Sequence, residues 1–218
     1  MKDTMIYNIL DSISQKSCID EKDIKTLIGL LKTNNSEIKS YIAELLVMAS
    51  GEDAEIALIN LCKDEDELVR VNACDSLSVF STSASYEQLL KSALNDPSIL
   101  VRTYAVLSLA DIAGTPLIDI GKLKKTLIKL SKEKYLSLSS ACFRGLYILG
   151  DKIYLENLLA LFKLGNYREK CMIVNMLSDI LDDDNRSLII SRLLEFRNGE
   201  TSNAVISNIN NLLSSHIY

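Results

Sequence analysis

Residues able to relay a proton, hold a metal or cradle a phosphate are few in this sequence, and their spacing argues against catalysis. The only histidine, His216, stands third from the C-terminal end. A Ser-His-Asp arrangement or a His-based metal site therefore has no imidazole near its other members, and no catalytic residue and no metal ligand set is expected. Two glycine-bearing segments resemble phosphate loops only superficially. In Gly114 to Lys122 (GTPLIDIGK) six residues separate the glycines instead of four, and Leu123 stands where a hydroxyl would hold magnesium. Gly145 and Gly150 have the right gap, but Asp151 follows and would repel phosphate. The run Asp182-Asp183-Asp184-Asn185-Arg186 fails as a calcium loop, because Arg186 and Ser187 occupy the places of an oxygen ligand and the sharp-turn glycine. It reads as a capped loop between helices. Asp64 to Glu67 reads as a helix start, where carboxylates complement the dipole. Cys18, Cys62, Cys74, Cys142 and Cys171 are odd in number and far apart, with no C-x-x-C pair, and read as small buried apolar residues in a reducing compartment. No cofactor is expected.

The elements that would position these residues are helices. Apolar residues make up 48% of the 218 positions and charged residues 24%, as in an ordinary folded protein. With only 8 Gly and 2 Pro, the chain lacks the punctuation of many strands and turns. Trp is absent and aromatics are 6%, so a core of Leu, Ile, Val and Ala is expected. No apolar run reaches the roughly 18 residues needed to span a bilayer. The first residues, MKDTMIYNILDSISQK, carry charges where a secretory signal needs an apolar core. A cytoplasmic location without membrane contact is expected. The net charge of −5 argues against a nucleic-acid surface, which needs clustered cations.

An internal repeat organises the chain. Residues 64–77 read DEDELVRVNACDSL and residues 96–109 read DPSILVRTYAVLSL, so Asp64 matches Asp96, Val69 Val101, Arg70 Arg102, Ala73 Ala105, and Leu77 Leu109, each 32 apart. Val, Ala and Leu at i, i+4 and i+8 share one helix face and predict a core stripe, with Ala letting a neighbouring helix come close. Asp96-Pro97 reads as an N-cap followed by Pro at the first helical position. Weaker copies place Ile38, Ile42 and Leu46 upstream and Leu138, Cys142 and Leu146 downstream, with further copies at Cys171 to Ile180 and Ala204 to Leu213. Partner helices are expected at 20–32, 53–62, 86–95, 121–131, 154–164 and 185–196. Breaks are expected at Ser50-Gly51, Ser81 to Ser85, Gly114 to Pro116, Gly150, Gly165 and Asp182 to Asn185. Residues 4–16 predict an additional helix capping the first repeat.

The pattern D-x-x-x-x-V-R-x-x-A-x-x-x-L resembles the HEAT repeat, and residues 53–113 carry that resemblance. It implies an all-α fold, an α-solenoid of about six HEAT-like helical hairpins plus an N-terminal capping helix. The expected organisation is a single array over 1–218, with approximate repeats 20–49, 53–80, 86–113, 121–150, 154–181 and 185–216. In HEAT proteins the Asp and Arg of successive repeats form a polar ladder inside the stack, which the resemblance assigns to Asp64, Arg70, Asp96 and Arg102. Elsewhere the Arg position becomes Lys39, Ser139 and Lys170, and the Asp position becomes Thr33 and Glu133. Armadillo-like and other hairpin repeats fit the rest of the chain as well. Tetratricopeptide repeats fit poorly, since their period is about 34 and their Trp, Gly and Pro marks are missing.

The resemblance also implies that second helices line a concave, partner-facing side. Stepping off the core stripe gives Tyr41, Glu44, Asn72, Asp75, Tyr104, Leu107, Asp111, Arg144, Asn175 and Asp179 as the expected partner-binding row. Tyr and Arg are favoured interface anchors, and the carboxylates suit a basic partner. The function expected is a non-enzymatic protein-binding module, a scaffold or adaptor, whose partner is another protein of basic character. The alternative is an inhibitor or immunity protein neutralising a cognate basic toxin such as a nuclease. A HEAT-like DNA glycosylase or bilin-lyase-type enzyme is the second alternative. The glycosylase reading lacks Trp and a basic groove, and nothing marks a chromophore pocket.

Overall fold

Six of the thirteen described helices begin where a side chain takes over backbone donors that the first turn leaves open. The computed structural model describes residues 2–114 and 118–217. Among these residues there are thirteen α-helices and no strand: α1 (Lys2–Ser14), α2 (Glu21–Leu30), α3 (Ser36–Leu45), α4 (Glu52–Leu61), α5 (Glu67–Ser76), α6 (Ser83–Asn95), α7 (Ile99–Ile112), α8 (Ile120–Leu130), α9 (Leu136–Ile148), α10 (Tyr154–Phe162), α11 (Tyr167–Asp179), α12 (Arg186–Gly199) and α13 (Asn203–Ile217). Short 3-10 turns, Leu46–Met48 and Leu77–Val79, extend α3 and α5. Asp20 and Asn166 form reciprocal capping boxes with Asp23 and Glu169, while Asn35, Asp66, Thr82 and Ser98 cap α3, α5, α6 and α7. Gly51 precedes α4 at φ 97° and Gly150 follows α9 at φ 99°, left-handed conformations that a Cβ would strain.

Two details differ from the sequence expectation. Asp96 does not cap α7; Ser98 does, its hydroxyl accepting the N–H groups of Leu100 and Val101 at 3.1 and 3.3 Å. The Asp96 carboxylate is held instead by a guanidinium from the preceding repeat, so α7 starts later. The expected break over Ser81 to Ser85 is also shorter, because Thr82 Oγ1 accepts the Ser85 N–H at 3.1 Å and starts α6 at Ser83.

The chain divides into two compact units, Met1–Ile120 and Gly121–Tyr218. In the first, α4 and α5, and α6 and α7, form packed hairpins, α2 lies against α4, and the second helices α3, α5 and α7 pack side by side. The N-terminal helix α1 joins that layer against α3. Asn35 donates to Asp3 (3.2 Å), Tyr7 to Glu37 (3.2 Å) and Tyr41 to Asp11 (3.3 Å), so the two helices run in the same direction. Its Ile6, Leu10 and Ile13 are buried, giving the first hairpin an apolar neighbour. In the second unit, α10 packs on α9, α11 lies between α9 and α13, and α12 packs on α13. Phe162 stacks on Phe196 with centroids 4.3 Å apart, tying α10 to α12.

The repeat stripe is the core. Ile38, Ile42, Leu46, Val69, Ala73, Leu77, Val101, Ala105, Leu109, Leu138, Cys142 and Leu146 all have 0% exposure. Cys62, Cys74 and Cys142 are buried, with the sulfurs of Cys62 and Cys74 3.7 Å apart as free thiols. The Cys74 contact and burial together push the Cys62 thiol well above its ordinary range. Two cysteines depart from the buried reading: Cys171 on α11 is half-buried, and Cys18 lies exposed in the turn after α1. Among the described residues no helix is long and apolar enough to cross a membrane.

Candidate binding face and the ladder behind it

The cations of the second helices decide what the surface of the first unit presents. Lys39 of α3 bonds Asp64 of the next repeat at 2.7 Å. Arg70 of α5 does the same to Asp96 through a two-pronged contact, Nε to Oδ2 at 2.9 Å and Nη2 to Oδ1 at 3.1 Å. Its remaining nitrogen, Nη1, donates to the carbonyls of Asp64 and Glu65, both at 3.0 Å, closing its own hairpin turn. Each acceptor carboxylate also holds its turn, Asp64 by accepting the Asp66 N–H at 3.0 Å and Asp96 the Ser98 N–H at 2.8 Å. Arg102 Nε donates to the Ala93 carbonyl at 2.8 Å. In the second unit Lys170 reaches Glu200 at 2.7 Å, and Glu200 takes the N–H groups of Thr201 and Ser202. Ser139 is too short to reach a neighbour and closes its own turn, donating to Ser131 O at 3.0 Å and Tyr135 O at 3.1 Å.

This ladder carries a pH dependence. Partial burial pushes the Asp64 carboxyl up, but hydrogen bonds from Lys39 and the Asp66 N–H, with the charges of Lys39 and Arg70, hold it below its ordinary value. The Lys170 ammonium holds Glu200 low in the same way, and the Lys16 ammonium holds Asp23 low. A carboxylate lower in the folded chain than in the unfolded one contributes stability above the unfolded pKa, about 4. That contribution is lost as pH falls through the lower, folded value. The melting temperature is therefore expected to drop as pH falls below about 4, and Asp64→Asn should flatten that slope while lowering the melting temperature at neutral pH. Superimposable melting-temperature profiles for the two proteins between pH 7 and pH 3 would contradict it.

With Lys39, Arg70 and Arg102 turned to this inner work, the exposed charges of α3, α5 and α7 are Glu37, Glu44, Glu67, Asp75 and Asp111, all acidic. Between them lie half-buried Tyr41, Asn72, Tyr104 and Leu107. Asn72 bridges helices, donating to Ser40 Oγ at 2.7 Å and Glu44 Oε1 at 2.5 Å. Burial raises the Tyr104 hydroxyl and the nearby Asp75 charge raises it further, so this phenol stays protonated and able to donate. Seven residues of the expected row thus share one face of the first unit. The other three lie in the second. Asn175 and Asp179 are exposed on α11, but Arg144 is 6% exposed and not a surface anchor. It lies under the cover of the adjoining helices, its Nε 3.5 Å from Asp179 Oδ2.

The sequence reading also missed a division of charge. The first unit carries ten Lys and Arg against nineteen Asp and Glu, a balance of −9, and the second carries fourteen against ten, +4. Six lysines fall between positions 122 and 134. The total of −5 hid this run; counting charge in segments would have found it.

Among the described residues no cluster of three His, Cys, Asp or Glu side chains converges. The His216 side chain and residues 115–117 of the glycine-bearing segment lie outside the described residues. A cleft of about 770 Å³ between the first two hairpin turns is lined by Lys39, Lys63, Asp64, Glu65 and Asp66 beside Asn34, Ser36 and Asn60, and its Lys39 and Asp64 are ladder partners.

Stacked hairpins in register, a fully buried small-residue stripe and a cation-to-carboxylate ladder between neighbours define an all-α protein of the α-solenoid class. Residues 24–110 match the family model for HEAT repeats. No curated protein matches the sequence. Among solved structures, the chain is similar to one in the complex of CpcE and CpcF of phycocyanin lyase from Nostoc sp. PCC7120, with 16% identity, a TM-score of 0.65, and coverage of 97% of this chain and 88% of that one. It is similar also to YibA of E. coli, with 19% identity, a TM-score of 0.57, and coverage of 95% and 74%. At such identities the likeness is one of fold.

Proposed function

We propose that the protein is a non-enzymatic binding module, a scaffold or adaptor, that docks a basic protein on the second-helix face of its first unit. One observation carries this reading. The cations of α3 and α5 are committed to the ladder and that of α7 bonds a carbonyl of its own hairpin, which leaves that face with exposed carboxylates set among half-buried Tyr41 and Tyr104. A face of one sign steers an oppositely charged partner and speeds its association, while flat, rigid Tyr side chains supply contact area at low entropic cost. Occlusion of the basic cleft of a toxin such as a nuclease is a narrower form of the same reading.

The test is capture of a basic partner by the intact chain and by Asp75→Lys/Asp111→Lys. Two charge reversals at the face are expected to weaken binding at least tenfold, chiefly by slowing association, and to reduce its salt dependence. Unchanged affinity with a normally folded double variant would sink the assignment of this face.

A further inference from the structure

The second unit offers a surface of opposite sign. Along α8, Lys122, Lys125 and Lys129 recur at spacings of three and four, which places them on one side of the helix, away from buried Leu123, Leu127 and Leu130, and Lys132 follows in the turn after it. All four lysines are exposed. Nearby carboxylates are occupied: Asp151 with Lys124 at 2.9 Å, Glu156 with Arg192 at 3.8 Å, and Glu195 with Arg192 at 3.1 Å and Lys163 at 3.5 Å.

The lysine row leads into a turn that adds aromatic rings. Lys134 sits 5.3 Å from the centre of the Tyr135 ring, which is 39% exposed where α9 begins. α9 packs beside α11, with Arg144 meeting Asp179 near both C-terminal ends, so the first turns of the two helices are neighbours. There Tyr167 is 51% exposed, its hydroxyl accepts from Arg168 Nε at 2.9 Å, and the guanidinium lies 5.6 Å from the ring centre. Two acidic groups border the area. Glu169 is half-buried and accepts the Asn166 N–H at 3.0 Å, and Glu133 is half-buried with a partner of its own.

An acidic peptide would use the cations and leave two exposed rings idle. Single-stranded nucleic acid uses both, because phosphates follow a line of cations while unpaired bases stack on aromatic faces. We propose that the edge formed by Lys129, Lys132, Lys134, Tyr135, Tyr167 and Arg168 binds single-stranded nucleic acid, its cations holding phosphates and its tyrosines stacking bases. The partition of charge allows this on a chain of net charge −5, since the acidic residues concentrate in the other unit.

Fluorescence anisotropy of the intact chain with labelled oligo-dT and oligo-U strands of about 12 nucleotides tests the proposal. Binding should weaken with salt along a log–log slope of about −2 to −3, the value for three or four phosphate contacts on a single strand. Lys129→Glu/Lys132→Glu should abolish it. Tyr135→Ala and Tyr167→Ala should each cost about tenfold, with the Phe variants retaining affinity. Lys25→Glu, exposed in the first unit, should change nothing. These side chains are exposed, and unchanged circular dichroism spectra will show that the variants fold. The proposal is overturned by absence of binding at low salt, by a duplex binding as well as the strand, by Tyr variants that bind normally, or by phosphatidylserine vesicles or polyglutamate competing as well as unlabelled strand at equal charge.

Discussion

Replacing Arg70 by alanine should destabilise the protein by about 3–5 kcal/mol, the usual cost of removing one partner from a buried ion pair. The Arg70 and Asp96 side chains are 12% and 7% exposed, so water cannot compensate the carboxylate left behind. The loss is larger than one pair, because the same guanidinium satisfies the Asp64 and Glu65 carbonyls. Arg70→Lys should recover only part of it, since an ammonium cannot reproduce the planar fork. Lys39→Ala should cost less, because a lysine makes a single contact to Asp64 and its side chain is 22% exposed. Urea unfolding of the three variants measures this ordering. A midpoint for Arg70→Ala that matches Lys39→Ala would mean that the fork contributes nothing beyond its charge.

This order of costs also separates what was legible in the sequence from what was not. The core stripe could be read because burial at i, i+4 and i+8 is a local property of one helix, and it is fully buried through four copies. The ladder role of Asp96 came from the family resemblance, yet the cap role given to the same residue failed. Arg70 lies 26 positions away and competes for the carboxylate, and no local rule weighs that competition. Arg144 shows the same limit from the other side. Its spacing matches the outward row of α3, α5 and α7, but burial depends on the packing of adjoining helices, which spacing within one helix does not encode. The charge division was present in the sequence throughout and was lost by summing over units with opposite balances.

The stripe itself yields the other large effect, and the two changes that probe it have different causes. Leu109→Ala removes a side chain of 0% exposure and leaves a cavity, which should cost about 2–5 kcal/mol. Ala105→Leu, four residues earlier on the same face, adds volume to the buried stripe of α7, which packs against α5 and α6, and should cost about 1–3 kcal/mol by forcing the neighbouring helices apart. If small size at position 105 sets the approach of the helices, the strain should spread to the ladder, because Arg70 on α5 must still reach Asp96 just before α7. The two-pronged Arg70–Asp96 contact would then weaken in Ala105→Leu and stay intact in Leu109→Ala. A double-mutant cycle with Arg70→Ala distinguishes these cases. Ala105→Leu should be markedly non-additive with it and Leu109→Ala nearly additive. Additivity in both would mean that the alanine fills space without setting the distance between repeats.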